Sequence, residues 1–150
     1  FSEAQKEIYD VVLNAQKSAI NSIKPGVSSN KPHETACEII TNGLIKLGIM
    51  KSAEDLTKFY MHNTGHWLGL DVHDVGSKLI NDEFREFKSG MVTTVEPGIY
   101  IRRDDKIDPK YWDIGVRIED DVLVTASGNH VLSKKAVKDI DEIEYLMSQR

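Results

Sequence analysis

The chain has 150 residues, 40% of them hydrophobic and 29% charged, with a formal net charge of −5, which suits one compact domain with a sizeable core rather than a disordered chain. Lysine and arginine form no clustered face, which argues against a nucleic-acid partner. No apolar run approaches the ~20 residues that span a bilayer, so no membrane partner is expected.

In chain order, Ser2 and Gln5 have the spacing of a capping box, in which two orphan amides at a helix start are satisfied reciprocally. Ile8, Val11, Val12, Ala15, Ala19 and Ile23 follow at helical period, predicting a first helix that stops before the Pro25–Gly26 turn pair. Ser28 to Pro32 reads as loop, and a second helix is expected from about Glu34 to Leu47, with Gly48 as its stop. Cys37 shares helical spacing with Ile40, Leu44 and Leu47, so it reads as a small core residue rather than a nucleophile. As the single cysteine of the chain it excludes an internal disulfide and fits a reducing, cytoplasmic compartment.

From Phe59 to Val72 glycines and β-favouring residues predict short extended segments and turns, and Ser77 to Ser89 reads as a charged connection. Met91–Val95 and Ile99–Ile101 are strand-like on either side of Glu96-Pro97-Gly98. Val116 to Thr125 alternates as one long strand, and Ser127-Gly128-Asn129 signals a hairpin into a short strand at Val131–Leu132. Asp139 with Glu142 would cap a last helix ending near Met147. No repeat, linker or low-complexity tract interrupts residues 1–150, which read as a single domain.

The stretch HNTGHWLGLDVHD, residues 62–74, holds three of the five histidines. His62 and His66 are four apart, as in zinc peptidases of the H-E-x-x-H type. The second position is Asn63 rather than Glu, and Gly65 and Gly69 disfavour a helix, so that motif is rejected. On an extended chain His62 and His66 share a side and His73 takes the other, so the three need not bind one ion. A lone histidine is most simply structural, whereas three so close together favour a functional cluster. Glu96 ends the run Met91–Val95, and Glu119 lies inside Val116-Arg117-Ile118-Glu119. A carboxylate buried among apolar residues requires a cation or donors. Arg117 and Glu119 point the same way on a strand, so a plain ion pair explains those two. Pro97 and Gly98 are explained as turn formers.

Taken together and in order, HWLGLDVHDVG, GMVTTVEPGIYI and GVRIEDDVLVTASG closely resemble the catalytic domain of the Xaa-Pro aminopeptidases (aminopeptidase P). These belong to the metallopeptidases of the "pita-bread" fold, with prolidases, methionine aminopeptidases and creatinase. FSEAQKEIYDVVL is similar to the helix after that family's first metal-binding hairpin, so the resemblance covers nearly the whole chain. Asn63 and Gly65 depart from the usual pattern, in which small residues and often serine occur. The resemblance implies an α+β fold, a curved antiparallel sheet backed by helices, incomplete because the first hairpin and its two aspartates would precede Phe1. Residues 1–150 would then be the C-terminal part of a catalytic domain, inactive alone and cut from an active parent. Missing edge strands would favour association.

Carried over residue by residue, the resemblance implies that His66, Glu96 and Glu119 are metal ligands. His62 and His73 would lie at the substrate, and Arg117 would orient a metal-binding carboxylate, or turn to Glu119 or solvent where that carboxylate is missing. One imidazole with carboxylates suits Mn²⁺, Co²⁺ or Zn²⁺, and the family usually prefers manganese. Two ions are implied in the complete site and at most one here. Glu96 would act as proton shuttle, with His73 and His62 donating to the tetrahedral oxyanion. The implied activity is release of the N-terminal residue from peptides with proline second, by a parent that is a homo-oligomer. The alternatives are a prolidase acting on Xaa-Pro dipeptides and a non-catalytic pita-bread module that binds proteins. The His66–Trp67 pair favours the aminopeptidase, and joint retention of His66, Glu96 and Glu119 argues against the module.

Overall fold

A computed structural model describes residues 1–149. The first helix begins where the capping box predicts: Ser2 Oγ accepts from Gln5 N at 3.2 Å, and Gln5 Oε1 accepts from Ser2 N at 2.8 Å. This helix, α1 (Glu3–Asn21), buries Ile8, Val12, Ala15 and Ala19 on one face. The second, α2 (Lys31–Lys46), starts three residues earlier than the spacing predicts, because Pro32 sits in its first turn. There the missing N–H costs nothing and the fixed φ suits the helix. Gly48, with φ 72°, takes the left-handed position that stops α2. The two helices approach closely at Gly43, where a Cβ would lie 2.6 Å from Val11 Cγ1. Cys37 is half-buried against this core, as its spacing predicts.

A 3₁₀ helix, Ala53–Lys58, was not foreseen. The connection expected over Ser77 to Ser89 contains a small hairpin, β1 (Leu79–Ile80) and β2 (Glu83–Phe84). Its turn residues Asn81 and Asp82 have φ of 53° and 64°, the left-handed pair that matches strand twist.

The main sheet is built on β3 (Val92–Val95), β6 (Asp120–Val124) and β7 (Asn129–Val131), with β4 (Gly98–Tyr100) pairing β5 (Gly115–Arg117). All pairs are antiparallel. One register runs through both: Val95 faces Asp120 and Gly98 faces Arg117, so the same alignment carries across the gap between them. The single strand expected over Val116 to Thr125 is therefore divided at Ile118-Glu119. Pro97 is the cause. It faces Ile118, has no N–H to donate, and receives only a long bond of 3.4 Å from Ile118 N.

Residues 59–72 form no regular strand, in keeping with the short extended segments and turns expected there. The segment instead runs beside β3 as an irregular outer chain. Leu68 N donates to Val92 O at 3.1 Å, Thr94 N to His66 O at 2.9 Å, and Glu96 N to Thr64 O at 2.6 Å. Trp67 bridges Thr93. The last helix, α3 (Ile140–Ser148), is capped by Asp139, whose Oδ1 accepts from Asp141 N and Glu142 N at 3.1 and 3.2 Å.

Alternation divides the sheet into two faces. Val95, Ile99, Ile101, Ile118, Val122 and Val124 point inward and are buried with α1 and α2 in one core. Each such side chain contributes about 1.5–3 kcal/mol of transfer free energy. The other face receives Thr94, Glu96, Tyr100, Arg117 and Glu119. Among the described residues no helix is long and apolar enough to cross a membrane.

Candidate metal centre

The through-running register sets Glu96 opposite Glu119 on the outer face, one step beyond the Val95–Asp120 pair. Like charges directly opposite in a sheet repel. The repulsion is visible on Glu119, whose pKa is raised by burial and then by the charge of Glu96. His66 closes the third side. Its backbone is pinned to β3, N donating to Thr94 Oγ1 at 3.0 Å and O accepting from Thr94 N. One ligand atom from each of His66, Glu96 and Glu119 lies within 4.8 Å of the others. Among the described residues no other group of three His, Cys, Asp or Glu does so.

The donor set fits a divalent cation. His66 Nδ1 lies 3.0 Å from the Trp67 carbonyl oxygen, which can only accept, so Nδ1 carries the proton and Nε2 presents a lone pair. That Nε2 is 3.4 Å from Glu96 Oε1. A lone pair and two carboxylates aimed at one point constitute a site for a hard or borderline ion. A plain ion pair, the simplest reading of the sequence, leaves Glu119 without a hydrogen-bonding side-chain partner among the described residues.

Glu96 itself is braced from two sides. Thr94 Oγ1 donates to Oε1 at 3.2 Å, and Arg117 Nη1 approaches Oε2 at 3.4 Å. Arg117 thus pairs with Glu96, which corrects the expectation that it turns to Glu119 or to solvent. Its Nε donates to Tyr100 Oη at 2.7 Å. Tyr100 in turn lies 3.0 Å from His62 Nε2, while His62 Nδ1 is 2.8 Å from Asn63 O. The carbonyl assigns the His62 proton to Nδ1, so Tyr100 donates to Nε2. His62, Tyr100, Arg117 and Glu96 therefore form one chain of hydrogen bonds. His73 stands exposed with its ring edge-on to His66, the centroids 4.3 Å apart.

Tyr100 and Thr94 were missed by the sequence reading. Both carried a signal, since they share strand parity with Glu96. The departure at Gly65 also has a reason: a Cβ there would overlap the Thr94 carbonyl oxygen. Half-buried Lys78 donates to Gly65 O, and burial lowers its pKa.

The chain as a whole is similar to known proteins. The description "Metallopeptidase family M24" matches residues 1–126. The Xaa-Pro aminopeptidase of Haemophilus influenzae is 48% identical over 99% of this chain and 36% of its own length. The structure of Pseudomonas aeruginosa aminopeptidase PepP superposes with a TM-score of 0.95 at 46% identity, over 99% of this chain and 36% of that one. Zinc-substituted Escherichia coli aminopeptidase P in complex with product gives a TM-score of 0.91 at 43% identity, over 99% and 35%. The chain thus spans about a third of the length of these relatives. With the fold, the identity and the family match agreeing over most of its residues, this chain belongs to metallopeptidase family M24, and its incomplete α+β sheet is part of that family's pita-bread fold.

Proposed function

We propose that this chain is the metal-binding part of a metalloaminopeptidase that releases the N-terminal residue from peptides with proline in second position. The carrying observation is the convergence of His66 Nε2, Glu96 and Glu119 on one point, with two carboxylates opposed across a strand pair. Support for the substrate class comes from relatives named Xaa-Pro aminopeptidase. Those relatives carry most of their length outside the matched region, the chain spanning 36% of one and 35% of another. The activity is accordingly proposed for a protein of that length. Residues 1–150 alone are expected to hold at most one weakly bound ion and to turn over no peptide.

His66, Glu96 and Glu119 would hold the metal, with manganese proposed and cobalt or zinc able to replace it. A bound divalent ion supplies Lewis acidity toward the scissile carbonyl and lowers the pKa of water. Glu96, held by Thr94 and Arg117, takes the proton from the attacking water and passes it to the leaving amine. His73 would donate an imidazole N–H to the developing oxyanion, whereas His62, with Nδ1–H given to Asn63 O and Nε2 accepting from Tyr100, would act there through Tyr100. Tyr100 keeps His62 and Arg117 in register with that work. The same reading places the protein in the cytoplasm as a homo-oligomer, without nucleic-acid or membrane partners.

The test is hydrolysis of an Xaa-Pro-Yaa tripeptide and an Xaa-Pro dipeptide by protein of the relatives' length, loaded with Mn²⁺, Co²⁺ or Zn²⁺. Release of the first residue from the longer peptide supports the proposal. Cleavage of the dipeptide alone would make it a prolidase, and metal-free, inactive protein would make it a binding module.

A further inference from the structure

Glu119 poses a problem that its neighbours solve. Glu96 is anchored directly, by Thr94 and Arg117. Glu119 has no hydrogen-bonding side-chain partner among the described residues, and it lies between β5 and β6, where the ladder to β4 and β3 is interrupted at Pro97. Its direction must therefore come through the backbone.

The next residue supplies it. Asp120 is 3% exposed and begins β6 on the inward face. Three donors from two separate parts of the chain converge on its carboxylate. Gln16 Nε2 of α1, itself 1% exposed, donates to Oδ2 at 2.6 Å. Ser133 Oγ and Lys138 Nζ, both beyond β7, donate to Oδ1 at 2.6 and 2.8 Å. Lys138 Nζ also reaches Ala136 O at 2.9 Å, and Ser133 Oγ accepts from Asp121 N at 2.9 Å, so the clamp holds the backbone of the next β6 residue as well as the Asp120 carboxylate. A carboxylate held inward at 120 forces the side chain at 119 outward, because successive residues of an extended chain alternate.

We propose that Asp120 is a positioning residue for Glu119: its buried clamp to Gln16, Ser133 and Lys138 holds the unanchored carboxylate of Glu119 facing Glu96 and His66. The inference rests on Glu119 being a metal ligand. It assigns the α1–β6 connection a task beyond packing, since α1 and the segment after β7 then set the metal geometry from the far side of the sheet. Groups behind the ligands commonly govern metal affinity about 10- to 100-fold.

The experiment titrates the chain with Co²⁺, reading affinity by calorimetry and ligand geometry by d–d absorption, with far-UV circular dichroism and melting temperature in parallel. Asp120→Asn should weaken Co²⁺ binding roughly 10-fold or more and alter the absorption bands while the fold persists. Ser133→Ala and Lys138→Met, which each remove one donor, should act in the same direction more weakly, and they decide the matter should Asp120→Asn fail to fold. A lower melting temperature with unchanged affinity and spectrum in the folded variants would make the clamp merely structural and overturn the proposal. Glu119→Gln is the control for the underlying reading. If it binds Co²⁺ as the unaltered chain does, or if protein of the relatives' length binds none, the ligand assignment fails and the positioning role with it.

Discussion

Arg117 passes over Gly98, the residue directly opposite it, to reach Glu96 diagonally at 3.4 Å and Tyr100 on the other diagonal at 2.7 Å. A side chain at 98 would close that crossing, since a Cβ there would lie 2.7 Å from Tyr100 Oη. Glycine in the Glu96-Pro97-Gly98 turn thus keeps open the lane through which a cation orients the proposed proton shuttle. Arg117 is 46% exposed, so its ion pair with Glu96 is partly screened by solvent. Such pairs contribute only about 0–1 kcal/mol to stability. In protein of the relatives' length Arg117→Met should therefore barely move the melting temperature while lowering kcat at least ~10-fold, as expected when an acid–base group loses its orientation. A large stability loss with normal kcat would show that Arg117 holds the fold instead.

Glu96→Gln separates chemistry from folding. An amide keeps the shape and can still ligate weakly, but it cannot carry a proton, so turnover by protein of the relatives' length should fall by roughly 10²–10⁴. The metal-free melting temperature should not drop, because the substitution removes one of two opposed carboxylates along with the Arg117 pair. Near-normal turnover would remove Glu96 from the shuttle role.

Gly65→Ala tests the tight seam between the histidine segment and β3. The added methyl would overlap the Thr94 carbonyl oxygen, which belongs to the backbone and cannot rotate away. Overpacking of this kind costs about 1–3 kcal/mol. Since His66 follows at once and is pinned to Thr94, divalent-metal affinity should fall with stability. Calorimetric metal titration and chemical denaturation of the variant measure the two effects, and unchanged values in both would disprove the seam.

His33, which is not one of the three candidate ligands, gives the fold a pH dependence of its own. Its Nδ1 lies 2.9 Å from Thr64 Oγ1 and its Nε2 3.5 Å from Cys37 Sγ, with the Tyr60 ring packed beside it. Burial lowers its pKa, reinforced by the charges of Lys78 and His62 and opposed by Glu34. The unfolded chain then binds the proton more readily than the folded one. Stability is full above the ordinary histidine pKa of about 6.5 and declines as pH falls through it toward the depressed folded value. Melting temperature should accordingly decrease between about pH 7 and pH 5, with His33→Gln showing a shallower decrease. An identical slope in the variant would exclude His33 as a source.

One metal titration bears on the whole site. Three protein ligands fall short of the roughly four to six donors a divalent ion takes, so water must complete the shell and binding should be weak. Calorimetry of the 150-residue chain with Mn²⁺ should find no more than one ion. Two tightly bound ions would mean that further carboxylates of this chain join the site.

The sequence by itself determined much of the local structure and marked the residues of the candidate site. The capping box at Ser2 and Gln5, the apolar stripes of α1 and α2, the stop at Gly48 and the Asp139 cap are short-range signals, decided within a turn or two of chain. The histidine-rich stretch and the carboxylates at the ends of apolar runs were equally legible, because a charge among hydrophobic residues calls for a partner wherever the chain goes. What only the tertiary structure decided is partnership across the sheet. Pro97 divides an alternating run that looks continuous, and it does so through Ile118, which lies 21 residues away on another strand. Arg117 chooses Glu96 over Glu119, its neighbour on the same strand face, because Gly98 opens the diagonal. Tyr100 and Thr94 join the site through strand pairing with no motif of their own. Register is set by long-range hydrogen bonds and by which face is buried, and neither is written in the spacing of any single segment.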